Sequence, residues 1–241
     1  MKYFLPIALI IILFCLIYMV THLKNEKYNR IILNVLALIL LVWKTIQFTY
    51  NALNNIKIYP VELSHICYFL VSVLILIQYK GGYFSAGFFA LICGIGYFVT
   101  GIFKPAATIS NNDVIIVLSG IISHSILMAI GLITLFNYKK YHFKDIWLTY
   151  FLMTLIVVYI ELINYDVIYK DVTNKDAYFI INFLNGNLLN KYLHIQNVTY
   201  GWLFTALVSL LIIIFTPILM KISISLYARK SKYKPDFLID I

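Results

Sequence analysis

Long apolar runs recur along this chain, separated by short polar connections. A helix that crosses a bilayer needs about 20 mostly apolar residues. Seven segments meet that requirement, at roughly 4–23, 31–50, 61–79, 83–103, 114–136, 146–165 and 199–220. The pattern predicts an all-α membrane protein, a polytopic bundle of about seven transmembrane helices forming one domain over residues 1–241. The first run ends in bulky residues (Tyr18, Met19, Thr21, His22) and not in a small-residue cleavage site, so it is expected to remain as a helix.

Composition strengthens this picture. The chain is 62% hydrophobic and 12% charged, with a mean hydropathy of +0.89. Soluble domains run at about 45–50% apolar and roughly 25% charged. The net charge of +9 raises the question of nucleic acid. The basic residues lie mostly between apolar runs, however, and no zinc-finger, helix-turn-helix or RNA-binding signature interrupts them. Nucleic acid is therefore not an expected partner. Three cysteines, Cys15, Cys67 and Cys93, all fall within spans and have no paired spacing, which excludes a disulfide framework.

The basic residues report orientation instead. The N-terminus and the connections after spans two, four and six carry six of them: Lys2, Lys57, Lys104, Lys170, Lys175 and Lys191. The opposite side carries twelve: Lys24, Lys27, Arg30, Lys80, Lys139, Lys140, Lys144, Lys221, Arg229, Lys230, Lys232 and Lys234. The N-terminus is accordingly expected outside and the C-terminus inside, in a cell membrane that the composition suggests is a bacterial plasma membrane. The Arg229-Lys230-Ser231-Lys232 run fits anionic lipid heads. In the long connection 166–198, Ile180, Phe183, Leu184, Leu188 and Leu189 follow helical spacing, as an interfacial or re-entrant helix would.

Ionisable groups are costly in hydrocarbon, and those inside spans usually face a cavity, pair with one another or do chemistry. Glu62, Ser64, His65 and Cys67 open the third span, and His124 sits mid-way along the fifth. Lys44, Gln47 and Asn51, spaced by three and four, share one face of the second. Glu161, Asn164 and Tyr165 end the sixth. With the helix directions above, all of these fall in the outer half of the membrane. One polar pocket is expected there, between helices two, three, five and six, with Lys44 paired to Glu62 or Glu161. The structural alternatives are a buried Lys44–Glu161 pair, a snorkelling Glu62, a packing Cys67, and a core His124 bonded to Ser119, Ser123 or a backbone carbonyl. Two histidines and one thiol without a second Cys-x-x-Cys element do not make a metal site, and no metal or cofactor is expected. Gly87, Gly94 and Gly101 recur every seven residues, which suits close helix approach. Pro60, Pro105 and Pro217 lie near span ends, as terminators or first-turn residues.

The order of these residues resembles a known family. His65-Ile66-Cys67 is followed 57 residues later by His124 within Ser123-His124-Ser125, with a glycine-rich span ending in Lys104-Pro105 between them. Asn164-Tyr165 and Ala177-Tyr178-Phe179 come after. The chain is similar, from about residue 30 to 215, to YwaF-type bacterial integral membrane proteins and their relatives, the animal transmembrane ether-phospholipid acyltransferase-like proteins. It departs from the family pattern at Leu63, where a proline is expected, and at Ala177, where an asparagine is usual. The resemblance implies Cys67 as nucleophile and His124 as its base. Thiolate attack on an acyl ester would give a thioester, and a lipid hydroxyl would then accept the acyl group. Lys44, Glu62, His65, Glu161, Asn164 and Tyr165 would bind the substrate, a phospholipid or other small molecule. The competing expectation is a small-solute transporter or substrate-binding membrane component without catalytic activity, whose only assured partners are membrane lipids.

Overall fold

The computed structural model describes residues 4–23, 25–54, 63–79, 81–103, 105, 114–138, 141–164, 210 and 212–226. Among these residues there are helices and turns and no strand. The helices are α1 (Phe4–His22), α2 (Glu26–Leu53), α3 (Leu63–Leu76), α4 (Gly82–Phe103), α5 (Val114–Ile133), α6 (Asp145–Asn164) and α7 (Ile212–Leu226). Among the described residues, three stretches are long and apolar enough to cross a membrane: Glu26–Leu53, Gly82–Phe103 and Val117–Phe136. Four shorter apolar helices pack with them.

The outer faces identify the solvent. Ile7, Ile11 and Phe14 on α1, Leu38, Val42 and Ile46 on α2, Ile115, Leu118 and Ile122 on α5, and Phe151, Leu155 and Val158 on α6 are all exposed, at helical spacing. Apolar stripes of this extent are unfavourable in water and suited to lipid. The chain is an all-helical membrane protein.

The observed bounds differ from the hydropathic ones where polar residues continue a helix. α2 begins at Glu26 because the Asn25 side chain caps it, accepting from the Lys27 amide at 2.9 Å, and an acidic residue sits in its first turn. Its 28 residues span roughly 42 Å at 1.5 Å rise per residue. α3 is shorter than its expected 61–79 span. It stops at Leu76, and Gln78 takes a left-handed backbone, φ 53°, that turns the chain into Gly81 and Gly82. Arg30 Nη2 donates to Gln78 Oε1 and ties this turn to the start of α2.

α4 is the central element, with most of its side chains buried. Its contact with α5 is backbone-close. A Cβ on Gly94 would lie 2.9 Å from Met128 Cα, and one on Gly131 would lie 2.7 Å from the Leu91 amide nitrogen. The paired residues count up one helix and down the other, so α4 and α5 are antiparallel. Gly87, from the expected seven-residue stripe, meets Leu135 in the same way at 2.8 Å. Leu135 belongs to a wide π turn, Thr134–Tyr138, that extends α5. Such a turn strands carbonyl groups. Here Tyr141 Oη donates to the Thr134 carbonyl and Ser223 Oγ to that of Leu135.

α7 corrects one sequence expectation. Its helix runs to Leu226, so Pro217 lies inside it and does not mark an end. Proline has no N–H for the carbonyl four residues back. That carbonyl, Ile213 O, accepts from Tyr150 Oη on α6 at 2.8 Å. The expected helix within 166–198 and the residues 199–209 lie outside the described residues.

Candidate functional site

The polar residues of α2 to α5 converge around His124. α2 and α3 are antiparallel neighbours, as Phe48 against His65 and Lys44 against Tyr68 show. This register carries Lys44 inward to the level of Tyr68. α5 brings His124 to the same level from the opposite side, and α4 supplies Cys93 and Tyr97.

His124 is 8% exposed and both ring nitrogens are engaged. Nδ1 lies 3.2 Å from the Cys93 carbonyl oxygen and Nε2 lies 2.9 Å from Tyr68 Oη. A carbonyl oxygen only accepts, so Nδ1 carries a proton. In the neutral ring Nε2 then accepts, and the Tyr68 hydroxyl donates to it. The ring also stacks on Tyr97, with centroids 4.1 Å apart and planes 8° from parallel. Tyr68 meets it edge-on. Tyr97 Oη is buried without a hydrogen-bond partner, and it lies 2.8 Å from where a Gly120 side chain would begin.

Cys67 is fully buried. Its thiol lies beside that of Cys93, and both cysteines are free. Both His124 nitrogens have other partners, so neither bonds to the Cys67 thiol. Thiol and imidazole instead meet the same residue: Cys67 at the Cys93 sulfur, His124 at the Cys93 carbonyl. The lone pair on His124 Nε2 is taken by Tyr68.

Lys44 is 4% exposed. Its Nζ donates to Gln47 Oε1 at 2.9 Å and stands 4.4 Å from the centroid of the Tyr68 ring. The described carboxylates are remote from it. Glu26 is at the far end of α2, and Asp145 accepts from the His142 amide. Gln47, Asn51, Ser64 and His65 are half-buried between Lys44 and the end of the bundle. Trp43, next in sequence, donates from Nε1 to Ser119 Oγ at 3.3 Å and fastens α2 to α5.

The remaining expected residues are only partly placed. Glu62 and Tyr165 lie outside the described residues, and Glu161 and Asn164 are described as backbone positions of α6 only. The Lys44–Glu62 and Lys44–Glu161 pairs fall outside the description with them. Among the described residues no group of three or more His, Cys, Asp or Glu is arranged to hold a metal.

Tyr68, Cys93 and Tyr97 complete the centre and were not singled out by sequence. Tyrosine is a common residue of the membrane interface, yet these two are internal. The available signal was spacing: Tyr68 lies one turn after His65, and Tyr97 one turn after Cys93. In a chain with 20 tyrosines that signal is weak. Comparison with known proteins finds no family model, no curated protein and no solved structure that matches this chain.

Proposed function

We propose that this membrane protein crosses the bilayer about seven times, with its N-terminus outside, and acts on a lipid-like substrate at the centre built by α2 to α5. The reaction is thiol-dependent acyl transfer. The observation that supports it is the meeting of the Cys67 thiol and the His124 imidazole at Cys93. When Tyr68 releases Nε2, the ring takes the thiol proton and the sulfur attacks an acyl ester. A carbon–sulfur bond forms and the ester carbon–oxygen bond breaks. The departing alcohol leaves with the proton. A second lipid hydroxyl then cleaves the thioester and restores the thiol. This is also the chemistry that the resemblance to YwaF-type proteins implies, in a bacterial plasma membrane.

One observation favours a second reading. Both His124 nitrogens are already satisfied, as a purely structural or solute-binding centre would require. Lipid acyl profiles of cells expressing wild type, Cys67→Ala and His124→Ala separate the two. Acyl transfer predicts an altered profile for wild type that both variants abolish. Identical profiles in all three, together with a solute-uptake defect in His124→Ala, would select the binding or transport reading.

A further inference from the structure

We propose that Cys67 and Cys93 form a redox-active dithiol that passes its electron pair to a quinone dissolved in the bilayer, and that the resulting disulfide switches off acyl transfer at Cys67. The redox couple stands on its own geometry. Only its effect on acyl transfer rests on the function proposed above.

His124 sets the two thiols side by side. Its Nε2 is held by Tyr68 on α3, the residue after Cys67, and its Nδ1 by the carbonyl of Cys93 on α4. One imidazole thus pins position 68 to position 93, and the Cys67 thiol comes to lie beside that of Cys93. Neither is committed to a disulfide, since both cysteines are free. Two reactants held in place join in an effectively unimolecular step.

Burial selects the oxidant. Cys67 has no exposed surface and Cys93 keeps 7%. Thiol–disulfide exchange needs direct attack of one sulfur on another, so a water-borne disulfide must bring its own sulfur to the pair. An apolar two-electron oxidant of the bilayer does not meet that barrier. Tyr97 narrows the class. It lies one turn after Cys93 on the same face of α4 and stacks on His124. Its buried hydroxyl meets no hydrogen-bond partner among the described residues. Such a donor calls for an acceptor. A quinone carries one, a carbonyl oxygen on a flat apolar ring.

Cys93, the more exposed thiol, adds to the quinone, and its proton goes to a quinone oxygen. The Cys67 sulfur then attacks the Cys93 sulfur. The carbon–sulfur bond breaks, the S–S bond forms, and hydroquinone leaves with the electron pair and both protons. Cys67 then has no thiol to offer an acyl ester. The reverse steps, with hydroquinone as reductant, restore both thiols.

The test uses the full chain with Cys15→Ala, which leaves only the buried pair. It is placed in nanodiscs under nitrogen and given duroquinone, whose fully methylated ring does not retain thiols. Each chain should release one hydroquinone, lose both maleimide-reactive thiols after denaturation and yield a linked Cys67–Cys93 peptide. Cys67→Ala and Cys93→Ala in the same background should release none. Tyr97→Phe should slow the quinone reaction at least tenfold and leave cross-linking by copper-phenanthroline intact, which a purely structural tyrosine would not do. Duroquinone should act at least tenfold faster than glutathione disulfide at equal concentration. Acyl transfer should fall to the Cys67→Ala level after quinone treatment, while the Cys93→Ala chain, at whatever level it runs, should not respond. Quinone reduction in a chain that shows no acyl transfer when reduced would support the couple and remove the acyl-transfer reading. Acyl transfer that persists in the disulfide form would overturn the switch. Retention of both thiols in duroquinone would overturn the couple, as would equally fast oxidation by glutathione disulfide. Oxidation by cumene hydroperoxide alone would overturn the quinone as oxidant.

Discussion

Tyr68 Oη lies 2.9 Å from His124 Nε2, and this contact joins α3 to α5 through the ring that α4 holds by the Cys93 carbonyl. Removing the hydroxyl leaves a buried imidazole nitrogen unpaired, which costs about 1–3 kcal/mol. Tyr68→Phe is therefore expected to lower stability by that amount in detergent-solubilised protein. A double-mutant cycle with His124→Phe should show a coupling of about 0.5–3 kcal/mol. Additive effects would mean that the contact contributes nothing specific.

The contact with the Cys93 carbonyl fixes a tautomer. With the Cys93 carbonyl on Nδ1, the neutral ring must carry its proton there. Nitrogen NMR on protein labelled at histidine should find His124 in the Nδ1-protonated form at neutral pH, the less common one for free histidine. Tyr68→Phe should leave that assignment intact, since the carbonyl imposes it. A proton on Nε2 would contradict the arrangement and free Nδ1 for other work.

The sequence showed the class of fold, and physical reasons set the limit. Apolar runs locate helices because a bilayer enforces them, but polar ends such as Glu26 and Asn51 continue α2 beyond the apolar run. Lys44 and His124 stood out because ionisable residues in apolar runs are rare. Their contacts did not, because Tyr68, Cys93 and Tyr97 resemble ordinary apolar or interfacial residues until packing places them. The glycine stripe was read correctly at Gly87 and Gly94. Gly131, the closest approach of all, belongs to the partner helix and to no visible repeat.

That approach has a sharp consequence. A methyl group on Gly131 would sit 2.7 Å from a backbone nitrogen, and backbone cannot step aside as a side chain can. Gly131→Ala should force α4 and α5 apart, with a loss of about 1–3 kcal/mol or more. Gly96 has nothing within 4 Å of its added Cβ, and Gly96→Ala should be neutral or slightly stabilising through its helix propensity. Thermal unfolding of the two variants side by side tests the contrast. Equal effects would remove the packing explanation.

The two buried thiols predict their own cross-link. Cys67 and Cys93 are buried neighbours, whereas Cys15 is exposed on α1. Copper-phenanthroline treatment should join the first two, leaving one maleimide-reactive thiol after denaturation. Reductant should restore all three. Cys93→Ala should abolish the cross-link and leave Cys67 reactive after denaturation. Three reactive thiols in oxidised wild type would show that the pair does not approach as described.

Pro217 and Tyr150 make a linked prediction. The proline removes the amide that would pair with the Ile213 carbonyl, and Tyr150 Oη fills the vacancy at 2.8 Å. In lipid no water can replace that donor. Tyr150→Phe should therefore lower stability by about 1–3 kcal/mol, the usual cost of an acceptor left unpaired away from water. Pro217→Ala restores the amide, and the carbonyl no longer depends on tyrosine. The Tyr150→Phe change should then cost much less in the Pro217→Ala background than in wild type. Unfolding of the four proteins in one detergent gives the comparison directly. An unchanged cost in both backgrounds would show that Tyr150 stabilises α6 and α7 by packing and not by serving the proline's carbonyl.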